Sequence, residues 1–405
     1  MVRNMKDSGL PWIGTIPSNW RCLRGKFVLH HLQKPTREDD GVITCFRDGE
    51  VTLRSNRREE GFTISEKEIG YQGIDVGDLV VHGMDGFAGA IGISDSRGKA
   101  SPVLVVLDSA ENKRFLMYYL RNLAYRDVFL ALATGIRVRS CDLRWNKIAD
   151  TVFTLPHIDE QNVIVTFIDN KLLEIDTAIK EAHELIDKYK AYKQSVITEA
   201  VTKGLDPQVP MKNSGVEWIA MVPKGWSKCR LKYLCEITTG NEDTQNADSD
   251  GEYPFYVRSP KIERCKRYTF DGEGILIAGD GAGAGRIFHH VFGKYAVHQR
   301  VYRLYNFKIQ SSYLHYYLSS IFPNEMDKGS AQSTVPSMRL PMLLNFNILI
   351  PSSSEQQSIA NYLDDKCSQI DSIIREKENL ISRLQEYKKS IIFEYVTGKK
   401  EVPNG

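Results

Sequence analysis

Residues 156–202 read PHIDEQNVIVTFIDNKLLEIDTAIKEAHELIDKYKAYKQSVITEAVT, and residues 351–397 read PSSSEQQSIANYLDDKCSQIDSIIREKENLISRLQEYKKSIIFEYVT. The two stretches align without a gap at an offset of 195, with 19 identities in 47 positions. From Ile164 the apolar positions of the first copy step by threes and fours through Ile168, Leu172, Ile175, Ile179, Ala182, Ile186 and Tyr189 to Val196 and Ala200, with Lys193 interrupting. The second copy runs Ile359, Leu363, Ile370, Ile374, Ile381, Leu384, Ile391 and Tyr395, with Cys367, Lys377 and Lys388 at the remaining seam positions. Neither copy contains Gly or Pro between its first proline and its final Val-Thr. This is a heptad seam on a continuous helix; about 40 residues at 1.5 Å each extend roughly 60 Å. Alone, each helix exposes an apolar stripe, and two seams matched in length and period bury each other as an antiparallel pair.

The repeat extends outward over most of the chain. SGLPWIGTIPSNW (8–20) is answered by SGVEWIAMVPKGW (214–226) at an offset of 206, while Asp85-Gly86 matches Asp280-Gly281 and Gly98-Lys99 matches Gly293-Lys294 at 195. The fall in offset means that the first half carries about eleven extra residues between about 27 and 80. Ahead of each helix lie short β-rich runs: VITCF (42–46), GDLVVH (77–82) and SPVLVVL (101–107) in the first half, GILIAG (274–279) and AVHQRVYRL (296–304) in the second. Each half also has one helical run, near 111–126 and 311–321, marked by Tyr118-Tyr119 and Tyr316-Tyr317. The expectation is α+β: globules over 1–157 and 205–351, long helices over 158–204 and 352–405. At 405 residues the chain is long enough for several cores.

Charge separates the two kinds of segment. The globular segments have 22 basic against 19 acidic and 17 against 14 residues, whereas the helical ones have 6 against 9 and 8 against 9. Of 25 arginines, 23 lie in the globules, only Arg375 and Arg383 lying elsewhere. Arginine is suited to phosphate forks and guanine edges. The start MVRNMKDSGLPWIG has no apolar targeting core and no stretch reaches the length of a membrane span, so a cytoplasmic location is expected. Seven scattered cysteines without a C-x-x-C pair argue against a disulfide framework or a zinc site.

The chain also lacks the signatures of several enzyme classes. The run GDGAGAGR (279–286) follows a strand, but its glycines Gly281, Gly283 and Gly285 are spaced G-x-G-x-G and no strong helix follows, so it reads as a tight turn that lets backbone approach closely rather than as a nucleotide cradle. There is no G-x-x-x-x-G-K-[ST], no methylation tetrapeptide, no G-x-S-x-G and no H-E-x-x-H. His289, His290 and His298 lack a partner at ligand spacing.

Two globules, each followed by P-x-x-x-E-Q and a long I-D-rich helix ending in V-T, resemble the specificity subunit of type I restriction-modification systems. The resemblance rests on SGLPWIGTIPSNW and SGVEWIAMVPKGW, on LPHIDEQ (155–161) and IPSSSEQ (350–356), and on KQSVITEAVTKG (193–204) and KKSIIFEYVTGK (388–399). It departs in PSSSEQ, where an apolar, proline-rich run is usual, and in TKG against TGK. It implies two pseudo-twofold-related target-recognition domains separated by two long antiparallel coiled-coil helices, the domains reading the halves of an asymmetric bipartite site in double-stranded DNA. It also implies a non-catalytic chain with no cofactor of its own. S-adenosylmethionine, ATP and Mg belong to its partners, two modification subunits and a restriction subunit.

Base readers are expected where the copies diverge, since shared framework cannot distinguish two half-sites. In the first globule these are Arg47, Arg54, Arg57 and Arg58 of FRDGEVTLRSNRREE, with Thr134, Arg137 and Arg139 of TGIRVRS. In the second they are Arg258, Lys261, Arg264, Lys266 and Arg267 of YVRSPKIERCKR, with Gln332 and Ser333 of KGSAQSTV, which resembles a family segment near DNA. Competing readings are a specificity chain serving a fused methylase-nuclease, a two-headed protein-binding scaffold, and a nucleotide-binding enzyme built on Gly281 to Gly285.

Overall fold

The computed structural model describes residues 3–57, 68–131, 143–329 and 336–403. The chain divides into two compact units, one formed by Met1–Ala182 with Asn379–Gly405 and the other by His183–Glu378. Each unit therefore joins a globule to a portion of both long helices. Four helices organise the description: α1 (Lys113–Tyr125), α2 (Ile158–Lys203), α3 (Ser311–Gly329) and α4 (Ser353–Val396). Among the described residues, none is long and apolar enough to cross a membrane.

In the first unit an antiparallel sheet has the order His30–Leu32, Leu104–Asp108, Leu79–His82, Ile91–Ile93. In the second, the order Glu236–Thr239, Val301–Tyr305, Gly274–Ala278, Phe288–Val291 repeats that arrangement strand for strand. Flanking pairs repeat as well. Arg21–Arg24 lies against Val152–Leu155, as Ser227–Arg230 lies against Asn347–Ile350. The first unit also pairs Ile43–Cys45 with Val51–Leu53 in a hairpin and Gln72–Ile74 with Gly98–Ala100, and in the second the corresponding strands Tyr253–Tyr256 with Ile262–Cys265 and Phe270–Asp271 with Lys294–Val297 join into one sheet. The run AVHQRVYRL, expected as one strand, is two: a turn at 298–300 sends its halves to different sheets, and His298 stabilises the turn by accepting the Arg300 N–H at its Nδ1, 3.0 Å away. The helical run expected to end near 321 continues through Pro323 to Gly329.

The paired tyrosines dock each globule to its helix. Consecutive helical residues point about 100° apart, so Tyr119 enters the core and donates to the Val152 carbonyl at 2.9 Å, while Tyr118 reaches Asp169 on α2. Tyr317 and Tyr316 repeat this on α3, donating to the Asn347 carbonyl at 3.1 Å and to Asp364 at 2.7 Å. The E-Q motif is a second latch. Glu160 accepts the Trp20 indole N–H at 3.3 Å and Glu355 that of Trp226 at 2.9 Å. Buried Gln161 and Gln356 each accept one backbone N–H, from Asn112 and Gln310, and donate to the proline carbonyl of the motif, Pro156 or Pro351.

Within each unit the two helix segments run antiparallel. In the first, the Phe167 and Tyr395 rings lie 4.5 Å apart and Lys388 pairs with Asp176 at 2.5 Å. In the second, Lys193 pairs with Asp371 at 2.6 Å. Two of the lysines that break the seam, Lys193 and Lys388, thus meet the aspartates of the I-D pairs, and the two contacts exchange under the 195-residue repeat. Gly204 and Gly398, with φ of +76° and +68°, take the left-handed conformation that ends each helix. The TKG-for-TGK difference moves that glycine by one position.

Candidate nucleic-acid interface

In the first unit the local fold gathers the arginines of the divergent loop. Gly49, at φ +91°, turns the chain between the hairpin strands, where the Phe46 N–H bonds the Glu50 carbonyl at 2.8 Å. A single helical turn, Arg54–Arg57, follows the second strand. Arg47, Arg54 and Arg57 consequently line one open cavity of about 820 Å³ together with Phe46, Asp48 and Asp85. Arg54 donates to Thr44 at 2.9 Å. Arg57 lies 4.1 Å over the Phe46 ring and pairs with Asp48 at 2.6 Å and Glu50 at 2.8 Å, the Asp48 carboxylate raising its already high pKa. Arg47 pairs with Asp85 at 2.8 Å while remaining 63% exposed.

In the second unit Arg258 pairs with Asp280 at 2.9 Å, and Arg300, which the sequence reading did not single out, meets the same carboxylate at 3.3 Å. Arg264 donates from Nε and Nη2 to the carbonyls of Gly251 and Glu252, both at 2.6 Å. Arg267 makes a two-pronged bond to the buried Glu242 at 2.9 and 3.1 Å. Lys261 and Lys266, both highly exposed, pair with Glu263 at 2.9 Å and Asp248 at 2.8 Å. Each of these second-unit cations is bonded to an acidic side chain or a backbone carbonyl. Arg58, Thr134, Arg137, Arg139, Gln332 and Ser333 lie outside the described residues.

Sequence reasoning also missed two supports. Arg121, from the framework helix α1, donates to the Asp48 carbonyl at 2.6 Å and fixes the hairpin tip that carries the Arg57 partner. Arg97 bonds Asp40 and Asp75, and Lys34 bonds Asp75 and Asp78, knotting the region that carries the extra residues of the first half. Asp75 is held down at about 2 by Lys34 first and then Arg97. Neither arginine could be told from a surface charge by its sequence neighbours alone. In the second unit His290 meets Glu273 at 2.9 Å and stacks on His315, a partnership with no sequence spacing to announce it. The glycine-rich run is a compact turn, with Gly281 and Gly285 at φ +76° and +63°.

The family model for the type I restriction modification DNA specificity domain matches residues 223–383. The EcoDI type I restriction enzyme specificity subunit of Escherichia coli is 27% identical over 171 residues, covering 42% of this chain; that alignment spans 38% of the relative's length. The MjaVIII specificity subunit of Methanocaldococcus jannaschii is 24% identical across 96% of this chain and 95% of its own. Among solved structures, a chain from a study of complex assembly and conformational transition in a type I R-M system superposes with a TM-score of 0.72 at 16% identity, over 95% of this chain and 99% of that one. The HsdS subunit from Thermoanaerobacter tengcongensis gives a TM-score of 0.51 at 16% identity, over 95% and 98%.

Proposed function

We propose that the chain, similar in sequence and fold to type I restriction-modification specificity subunits, is the DNA-recognition subunit of such a system, each globule reading one half of an asymmetric, bipartite target. The observation that carries this reading is a framework built twice, the same sheet order with the same Trp–Glu and Gln latches, supporting loops that differ between copies and hold most of the candidate cations. Shared framework with divergent cationic loops is what two different half-sites demand. Both globules are mildly basic, in keeping with a phosphate-tracking surface.

The residues that meet DNA are Arg47, Arg54, Arg57 and Arg58 with Thr134, Arg137 and Arg139 in one globule. In the other they are Arg258, Lys261, Arg264, Lys266 and Arg267 with Gln332 and Ser333. The chain carries no catalytic step and works in the cytoplasm. Two modification subunits, docked on the long helices, methylate adenine with S-adenosylmethionine, and a restriction subunit uses ATP and Mg. Base-resolution methylation mapping of host DNA with and without this gene tests the proposal. Loss of one bipartite adenine-methylated motif is the expected result, and a methylome that is unchanged, or that loses one continuous palindrome, overturns it.

A further inference from the structure

Arg47 and Arg258 stand 211 residues apart, so neither the 206 nor the 195 offset of the repeat pairs them. Their surroundings nevertheless share two features. Each follows a strand, Ile43–Cys45 or Tyr253–Tyr256, and each guanidinium is bonded by the aspartate of the repeated Asp-Gly turn, Asp85 at 2.8 Å and Asp280 at 2.9 Å. The glycines of that turn close on the arginine backbone. A Cβ at Gly89 would stand 2.8 Å from the Arg47 carbonyl oxygen, and one at Gly283 would stand 2.9 Å from that of Arg258, distances at which only glycine fits without movement. The turns are themselves anchored. His82 Nδ1 accepts the Asp85 N–H at 3.0 Å, and the Met338 N–H bonds the Gly279 carbonyl at 2.8 Å. Both arginine side chains stay accessible, at 63% and 45% exposure. The GDGAGAGR run is thus half of the second globule's arginine cradle, as the Asp85–Gly89 turn is of the first's.

Resting on the DNA-recognition reading above, we infer that Arg47 and Arg258 are equivalent base readers, each taking a guanine in its own half-site, and that Asp85 and Asp280 are positioning residues that aim them. The chemistry favours a base over a phosphate. A carboxylate bonded to the guanidinium repels a phosphate and offsets part of the attraction that phosphate binding uses, fully one-to-one at Arg47 and shared with Arg300 at Arg258. A guanine edge is neutral and offers two acceptors, O6 and N7, to the fork. The guanidinium has five N–H donors, so bonding one carboxylate leaves enough for a two-pronged contact while restricting the rotamers of a long side chain.

The test uses the host carrying the full-length chain with its modification partners, as wild type and as Arg47→Ala, Arg258→Ala, Asp85→Asn and Asp280→Asn, each mapped for methylation. The wild-type motif is expected to hold a guanine in both halves. Arg47→Ala should relax one guanine position in one half-site, with a loss of discrimination of about ten- to a hundredfold, and leave the other half intact; Arg258→Ala should do the converse. Each Asp→Asn variant should relax the position that its arginine reads. A motif lacking guanine in either half, unchanged variants, or a uniform weakening across all sites overturns the inference. A second measurement does not depend on how well the variants fold. The wild-type complex should bind its own site about tenfold less tightly when either guanine is replaced by 7-deazaguanine, which lacks N7, and undiminished binding overturns the assignment. A wild type that methylates no bipartite site defeats the recognition reading itself, which separates that failure from this one.

Discussion

Among single residues, Gln161 and Gln356 show how a short motif becomes legible once its hydrogen bonds are known. Each buried amide takes one backbone N–H at 3.0 Å and returns one N–H to a proline carbonyl, so the glutamine satisfies two main-chain groups where strand gives way to helix. Truncation leaves both groups to be desolvated without a partner. Gln161→Ala and Gln356→Ala should each lower stability by about 2 kcal/mol or more, read as a shift in denaturant midpoint, and a shift under about 0.5 kcal/mol at either site would contradict the latch. His315 gives a second residue-scale expectation. Burial, followed by the charges of His290, His289 and Lys193, lowers its pKa to about 4. The unfolded chain binds that proton near pH 6.5 while the folded chain refuses it, so this group's contribution is fully present above about pH 6.5 and is lost as pH falls toward 4. His315→Phe keeps a ring against His290 and removes the titration. Thermal melting of wild type and variant from pH 7 to 4.5 should show the wild type losing stability faster; parallel curves would sink the idea.

Among the elements, the long helices were readable because their signal is periodic and uninterrupted, and because it occurs twice. The seam residues Ile164, Ile168, Ile175, Ile186, Ile359, Leu363, Ile370 and Ile381 are all buried. What periodicity could not supply was the meaning of its interruptions. Lys193 and Lys388 look like defects on a heptad wheel, yet each meets the other copy's I-D aspartate, a long-range contact that no local pattern encodes. The strands were less legible. In AVHQRVYRL an apolar pattern ran across a turn held by a histidine side chain, and Arg47 and Arg258 share a cradle that unequal loop lengths hide from alignment. The Lys–Asp pairs are partly exposed, which keeps each to no more than about 1 kcal/mol; their value lies in fixing direction and register. Reversing one charge, as in Lys193→Asp, sets two carboxylates together and should lower the melting temperature, whereas adding Asp371→Lys should restore most of the loss. A double variant no more stable than the single one would show that the pair sets no register.

For the whole molecule, the proposed function makes recognition a two-point event, and its energetics follow from that. Each globule brings a formal charge of +3 and its own cradle, so neither half dominates by charge. Once one globule is seated, the second binds from a local concentration fixed by the protein rather than from solution, which raises affinity by about 10²–10⁴ when both half-sites are present. On that proposal phosphate contacts belong to both events and release counterions, so affinity should fall linearly in log–log form with salt, while discrimination among sequences, assigned to neutral base edges, should change far less. The comparison requires the assembled complex and three duplexes: both half-sites, one half-site with the other scrambled, and neither. Across salt titrations the two half-site duplexes should lose affinity with similar slopes, and scrambling either half should cost about the same factor. If one half-site alone bound as tightly as both, the second globule would have no part in recognition, and the proposal of two arginine cradles serving two half-sites would fall.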